Sequence, residues 1–242
     1  VPQYAVVTEK LRRVFGNHAA VDGVNLQVRQ GEIYGFLGPN GAGKSTVVRM
    51  LTTLLMPTSG SALVAGFDVV SEPTDVRLRI GAALQDAALD PKQTGIELMR
   101  LQGHLYGLSS FEIDQRIDEL EPLVDIGDAI KDQIGTYSGG MKRRLDLAAA
   151  LIHNPQVLFL DEPTAGLDPL SRSRVWDEVR RINQELGVTI FLTTQYLEEA
   201  DALADRIGII TRGVLVAEDT PAALKGTIGA DVIIARVDGD TG

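Results

Sequence analysis

"GPNGAGKST", Gly38 to Thr46, decides how the rest of the chain is read. Before it lies a short apolar run, Ile33–Leu37, and after it a helix-like segment from Lys44 to about Leu55. The stretch fits G-x-x-x-x-G-K-[ST], with Gly38, Gly43, Lys44 and Ser45 at the defined positions and in the strand–turn–helix setting the pattern requires. Glycines there let successive backbone N–H groups turn toward phosphate oxygens, and the following helix offers its positive end to the same oxygens. The phosphate-contacting candidates are Gly38, Pro39, Asn40, Gly41, Ala42, Gly43, Lys44, Ser45 and Thr46. Lys44 reaches the β- and γ-phosphates and the Ser45 hydroxyl ligates Mg²⁺. The alternative is an ordinary glycine turn carrying a surface lysine.

Downstream, "VLFLDEP" (Val157–Pro163) is an apolar strand ending in two acids. Acids at the tip of so apolar a strand are costly unless they have work to do. Asp161 suits the metal-side carboxylate of a nucleotidase, and Glu162 is placed to orient or deprotonate an attacking water. The alternative is a helix cap or a solvated strand end. In "YSGGMKRRLDLAAALIHNP" (Tyr137–Pro155), Ser138 caps a helix, and Gly139 and Gly140 leave its first N–H groups uncovered, a second place for an anion. The strand-like run Val188–Thr193 ends in Thr194-Gln195, where open α/β sheets usually face a ligand.

Strand-like runs also cover Ala5–Thr8, Ala19–Val28, Ile80–Leu84, Ile207–Thr211 and Val214–Ala217, and "MPTSGSALVAGFDV" reads as a turn between strands. Helical patterns cover Thr94 to about Val124 with a break at Gly107, then Ser138 to just before Asn154, Pro169–Leu186 and Tyr196–Leu203. Strand–helix alternation predicts a mainly parallel sheet covered by helices, preceded by an antiparallel β region. The expected division is one domain: residues 1–90 and 156–228 form the core, 91–155 an inserted helical subdomain, and 229–242 a tail that reads as the start of a truncated extension.

The 242 residues are 44% hydrophobic and 23% charged, with a formal charge of −10, which leaves no excess of basic residues for sequence-independent nucleic-acid binding. Cysteine is absent and only three histidines occur, so disulfides and a zinc site are not expected. No run approaches the length of a membrane span, no signal-peptide pattern is present, and the chain opens on Val1 rather than Met. The expectation is a soluble protein whose membrane role needs a partner and whose natural start is missing.

"GPNGAGKST", "YSGGM", "LFLDEP" and "AGLD", in that order, resemble the nucleotide-binding domain of an ABC transporter from about Ala5 to Lys225. The resemblance implies the ABC type of P-loop α/β fold, with ATP and Mg²⁺ as ligands. It also implies a head-to-tail pair of chains, most simply a homodimer, in which Ser138, Gly139 and Gly140 meet the nucleotide of the partner chain and Asp168 lies at the seam. Gln85 matches a glutamine that touches Mg²⁺ or its water, and a transmembrane permease subunit is expected to dock near Gln85–Pro91. Phe15 matches an aromatic that stacks on adenine, with core packing as its alternative. Met141 and Tyr137 depart from the family's commoner glutamine and leucine.

At Gln195 the family usually has a histidine that contacts the γ-phosphate. An amide still donates a hydrogen bond but does not take up a proton near neutral pH. Gln195 is read as a working phosphate sensor, against a degenerate, slow site. "TTQYLEEADALADRI" and "SGGMKRRL" resemble the drug- and antibiotic-exporting branch of the daunorubicin-resistance type. The resemblance thus implies a peripheral ATPase on the cytoplasmic side of the membrane that powers export of a drug, antibiotic or lipid-like compound. An importer subunit, or a non-transport ABC ATPase or regulatory domain, stays open as an alternative. His153 is read as structural, Trp176 and Val179 as core, the acidic run from Asp114 to Asp125 as a solvated helix face, and Lys142, Arg143 and Arg144 as surface residues.

Overall fold

The computed structural model describes residues 3–84, 89–124 and 127–228. Six strands form the main sheet: β3 (Ile33–Leu37), β6 (Ile80–Ala83), β7 (Val157–Asp161), β8 (Thr189–Thr194), β9 (Arg206–Thr211) and β10 (Val214–Asp219). Their spatial order is β10-β9-β3-β8-β7-β6. All pairs are parallel except β9 with β10. Every residue of β3, β7 and β8 is buried, the pattern of strands covered on both faces. Alternate side chains divide between two cores. Leu158, Leu160, Ile190 and Leu192 pack with the helices α3 (Gly95–Leu105), α4 (Ser110–Val124), α5 (Gly139–Leu151) and α6 (Pro169–Leu186). Phe159 and Phe191 point the other way, toward α1 (Lys44–Leu51) and a second sheet.

That second sheet is antiparallel, in the order β2-β1-β4-β5, and contains β1 (Tyr4–Phe15), β2 (His18–Arg29), β4 (Ser59–Val64) and β5 (Phe67–Asp68). β1 extends well past the expected Ala5–Thr8. Its distal half is charged, but two neighbours satisfy its backbone and its register shifts four times against β2, so no clean alternation marks it. α1 stops at Leu51, short of the expected Leu55, because Thr53 turns left-handed at φ +62°.

Local signals set the helix ends. α3 begins with a capping box, the Glu97 N–H donating to the Thr94 hydroxyl and the Thr94 N–H to the Glu97 carboxylate. Asp168 caps α6 through the N–H groups of Leu170 and Ser171, and Gly187 closes it at φ +65°. In α4 the residues Ile113, Ile117, Leu120 and Leu123 are buried while Asp114, Asp118, Glu119 and Glu121 are exposed, as the pattern predicts. The described chain also holds α2 (Pro73–Arg77), α7 (Leu197–Leu203) and α8 (Pro221–Ile228), and two short 3₁₀ helices, Gly127–Lys131 and Ile134–Thr136.

Candidate active site

The register of the parallel strands brings the polar strand tips together. Leu37 pairs with Thr194 and Asp161 with Thr193, so β3, β7 and β8 end side by side. The loop leaving β3 is seated on this edge by the Gly38 N–H, which donates to the Thr194 carbonyl at 3.1 Å. Two glycines there are compulsory. A Cβ on Gly38 would stand 2.4 Å from the Ile210 carbonyl oxygen, and one on Gly43, whose φ is +107°, would stand 2.4 Å from that of Ala20.

Lys44 opens α1 and is only 4% exposed. Its ammonium donates to the Gly38 and Pro39 carbonyls at 2.8 and 3.2 Å and pairs with Glu162 Oε1 at 3.1 Å. One residue on, the Ser45 hydroxyl lies 3.3 Å from Asp161 Oδ1, and the Thr193 hydroxyl donates to the same oxygen. Among the described residues no group of three or more acids and histidines could hold a metal unaided. A buried carboxylate beside a hydroxyl is instead the oxygen donor set that suits Mg²⁺ sharing its shell with phosphate and water, so these residues fit that ion.

Glu162 has φ +48°, a left-handed conformation that costs a residue with a Cβ about 1–2 kcal/mol. Its N–H is held by both the carbonyl and the hydroxyl oxygen of Thr193, each at 3.1 Å. Together Asn40, Gly41, Gly43, Lys44, Ser45, Thr46, Glu162 and Gln195 line one open cleft of about 490 Å³. Gly38, Pro39 and Ala42 complete the loop beneath it. The Gln195 side chain is exposed to this space, while its backbone is fixed by the bond from Gly38 to Thr194 and by the Tyr196 N–H on the Thr194 hydroxyl at 2.9 Å.

Ser138, Gly139 and Gly140 do not line that cleft. Ser138 caps α5 by accepting the Met141 N–H at 3.2 Å, and Gly139 borders a separate cleft of about 430 Å³ that shares the wall from Glu162 to Gly166. Phe15 is 45% exposed with the Arg13 guanidinium 4.6 Å above its ring, so the core-packing alternative does not hold. Gln85 lies outside the described residues.

Two readings need correction. Arg143 and Arg144 are not surface residues: their side chains are 12% and 13% exposed. Arg144 pairs with Glu178 at 3.7 Å. Arg143 donates to the carbonyls of Ala83, Leu84 and Pro163 at 3.2, 3.3 and 3.1 Å and to Asp146 at 3.1 Å, so these acceptors replace the water a basic run normally seeks. Burial pushes the Asp146 carboxyl up to about 6 against the pull of Arg143. His153 is structural, stacked on Tyr106 at 3.6 Å with its Nε2 2.9 Å from the Ile80 carbonyl oxygen. Burial lowers its pKa to about 4, so it is neutral at pH 7. Val179 is core and the half-buried Trp176 packs against that core, while its Nε1 donates to the buried Glu199 at 3.0 Å, which also accepts from Thr164 at 2.7 Å. Neither this network nor the role of Thr193 was read from the sequence. The paired threonines at the tip of β8 were its available signal.

Residues 21–165 match the family model described as ABC transporter. The daunorubicin/doxorubicin resistance ATP-binding protein DrrA of Streptomyces peucetius is 50% identical over 236 residues, 98% of this chain and 71% of that protein. Among solved structures, cbiO1 of Clostridium perfringens, part of the transporter complex cbiONQ, superposes with a TM-score of 0.84 at 28% identity, covering 92% of this chain and 91% of that one. A dimeric ATP-binding cassette in a post-hydrolysis state, bound to ADP and Pi, gives a TM-score of 0.78 at 25% identity over 89% and 98% of the two chains.

Proposed function

The chain belongs to the ABC transporter family as an ATP-binding domain, and from that premise we propose that it is the MgATP-hydrolysing subunit of an exporter of drug- or antibiotic-like compounds. One observation carries the catalytic part: Lys44, Ser45, Glu162 and Gln195 line a single cleft at the carboxyl ends of β3, β7 and β8, with Asp161 beside Ser45 at its edge. The half-identical resistance protein of Streptomyces peucetius supports the export part.

The backbone of the glycine loop and the start of α1 bind the phosphate chain. Lys44 moves from its loop carbonyls and Glu162 to the β- and γ-phosphate oxygens, which leaves the Glu162 carboxylate to orient the attacking water and take its proton. Gln195 donates its amide N–H to a γ-phosphate oxygen. Ser45 and Asp161 would hold Mg²⁺, with Gln85 as the further candidate, and the ion would supply charge neutralisation for the phosphates.

Phe15 stacks on the base. Ser138, Gly139 and Gly140 meet the nucleotide of a second, head-to-tail copy, because they open a helix away from this chain's own phosphate cleft. Asp168 lies at that seam. The helical segment 91–155 carries the permease contact near Gln85–Pro91. Leu101 and Leu105 are exposed on α3, and the exposed Leu54 borders a groove that Gln102 of α3 and its cap residue Tyr106 also line. Among the described residues no helix is long and apolar enough to cross a membrane. The permease holds the chain at the cytoplasmic face.

Steady-state MgATP hydrolysis across protein concentrations tests this reading. The rate per chain is expected to rise with concentration, and Glu162→Gln to lower it by roughly a hundredfold or more. A concentration-independent rate would remove the two-chain arrangement, and an unaffected Glu162→Gln would remove the catalytic assignment.

A further inference from the structure

Glu162 is held in its left-handed conformation from two sides. Thr193 grips its N–H from the β8 side, through two acceptors at 3.1 Å. On the other side the Glu162 carbonyl accepts the Ala165 N–H at 3.1 Å, and the carbonyl of the following residue, Pro163, accepts Arg143 Nε at 3.1 Å. The same guanidinium reaches Ala83 and Leu84 at the end of β6 through Nη2 and Nη1, at 3.2 and 3.3 Å, and Asp146 one turn along its own helix at 3.1 Å. A residue kept in a sparsely populated backbone state persists only where its surroundings over-determine it, and such residues cluster at functional sites. Among the described residues, the Arg143 side chain does this for the Pro163 carbonyl, and its planar, multiply donating head spans three carbonyls in a way an ammonium does not.

We propose that Arg143 is a positioning residue for hydrolysis: from α5 it fixes the carbonyl of Pro163, the residue joined to Glu162, and through that short turn the aim of the Glu162 carboxylate. The proposal rests on Glu162 handling the attacking water. The clamp is a side chain of the helix that Ser138 begins, so a shift of α5 is carried to that carboxylate.

A double-mutant cycle tests this. Single-turnover hydrolysis of radiolabelled MgATP is measured at saturating concentration for the full chain, R143K, E162Q and the double variant, with binding of fluorescent ATP and thermal melting recorded for each. R143K keeps a cation opposite Asp146 but loses the three-carbonyl span. The expected result is a roughly ten- to a hundredfold fall of R143K against wild type, a further change of less than about twofold on the E162Q background, and ATP affinity unchanged. R143Q/D146N, which removes both buried charges together, carries the same expectation.

An equal fall on both backgrounds, or no fall on wild type, overturns the proposal. So does loss of folding in both Arg143 variants, since Arg143 is then structural. If E162Q itself hydrolyses like wild type, the underlying reading of Glu162 fails instead.

Discussion

Replacing Asp146 by Asn removes a carboxyl that burial pushes up to about 6 from an ordinary 3.8. Its side chain is 15% exposed, so little solvent screening applies. A raised carboxyl favours the folded state at low pH, and that stability is lost as pH rises through the folded-state value. The whole separation corresponds to about 3 kcal/mol, of which about 2 kcal/mol falls between about pH 7.5 and 4.5. His153 works in the opposite sense. Its pKa is lowered to about 4, so the stability it gives above its ordinary 6.5 is lost on acidification. That contribution is present in both proteins and cancels in their difference, as do those of the remaining carboxylates. The assay is urea unfolding of wild type and D146N at 25 °C across that pH range. Wild type should gain about 2 kcal/mol on D146N as pH falls. A difference that stays level, or moves the other way, would mean that Arg143 outweighs burial and holds the carboxyl at or below its ordinary value.

Thr193→Val keeps a β-branched side chain but removes the hydroxyl that serves both Asp161 and the Glu162 N–H. It should cost about 1.5–3 kcal/mol, read as a fall of roughly 3–12 °C in the calorimetric melting temperature, with hydrolysis reduced as well. A melting temperature within about a degree of wild type refutes the account of how Glu162 is held. Gln195→His introduces a group with an ordinary pKa of about 6.5, so the rate should gain a titrating limb between about pH 6 and 8 that wild type lacks. Identical pH–rate profiles would place residue 195 outside the reacting shell.

What the sequence showed follows the strength of its local signals. The glycine loop, the acidic strand tip and the start of α5 are each fixed by chemistry within a few residues, and the parallel core follows from apolar runs too continuous for a solvated face. The far half of β1 was not legible, because Lys10, Arg12 and Arg13 sit in a strand whose pairing partners, β2 and β4, supply the order that its own pattern lacks. "KRR" reads as surface in any local window, and only the arrival of three carbonyls from β6 and the turn after β7 explains why Arg143 is buried. The acids of "LEEAD" look alike in sequence, yet Glu199 is fully buried because Thr164 and Trp176 meet it, while Glu198 stays exposed. The left-handed backbone of Glu162 has no sequence signature, since the groups that hold it come from outside: Thr193 on its N–H and, one residue on, Arg143 on the Pro163 carbonyl.

The glutamine at position 195 fits this division between place and chemistry. Its position depends on nothing in its own side chain. The parallel register of β3 with β8 and the bond from the Gly38 N–H to the Thr194 carbonyl set where the backbone leaves the sheet, and the Tyr196 N–H on the Thr194 hydroxyl sets its direction. Any side chain there faces the phosphate cleft. What the side chain decides is whether the contact titrates. An amide offers the same donor from pH 5 to 9, a range over which an imidazole changes charge. On the proposed reading proton handling falls to Glu162, whose backbone is bonded by Thr193 and whose following residue is bonded by Arg143, neither of which titrates near neutral pH. A cleft built this way should hydrolyse ATP with a pH dependence set by its carboxylate and its substrate, and restoring a histidine at 195 should add a titration without moving the site.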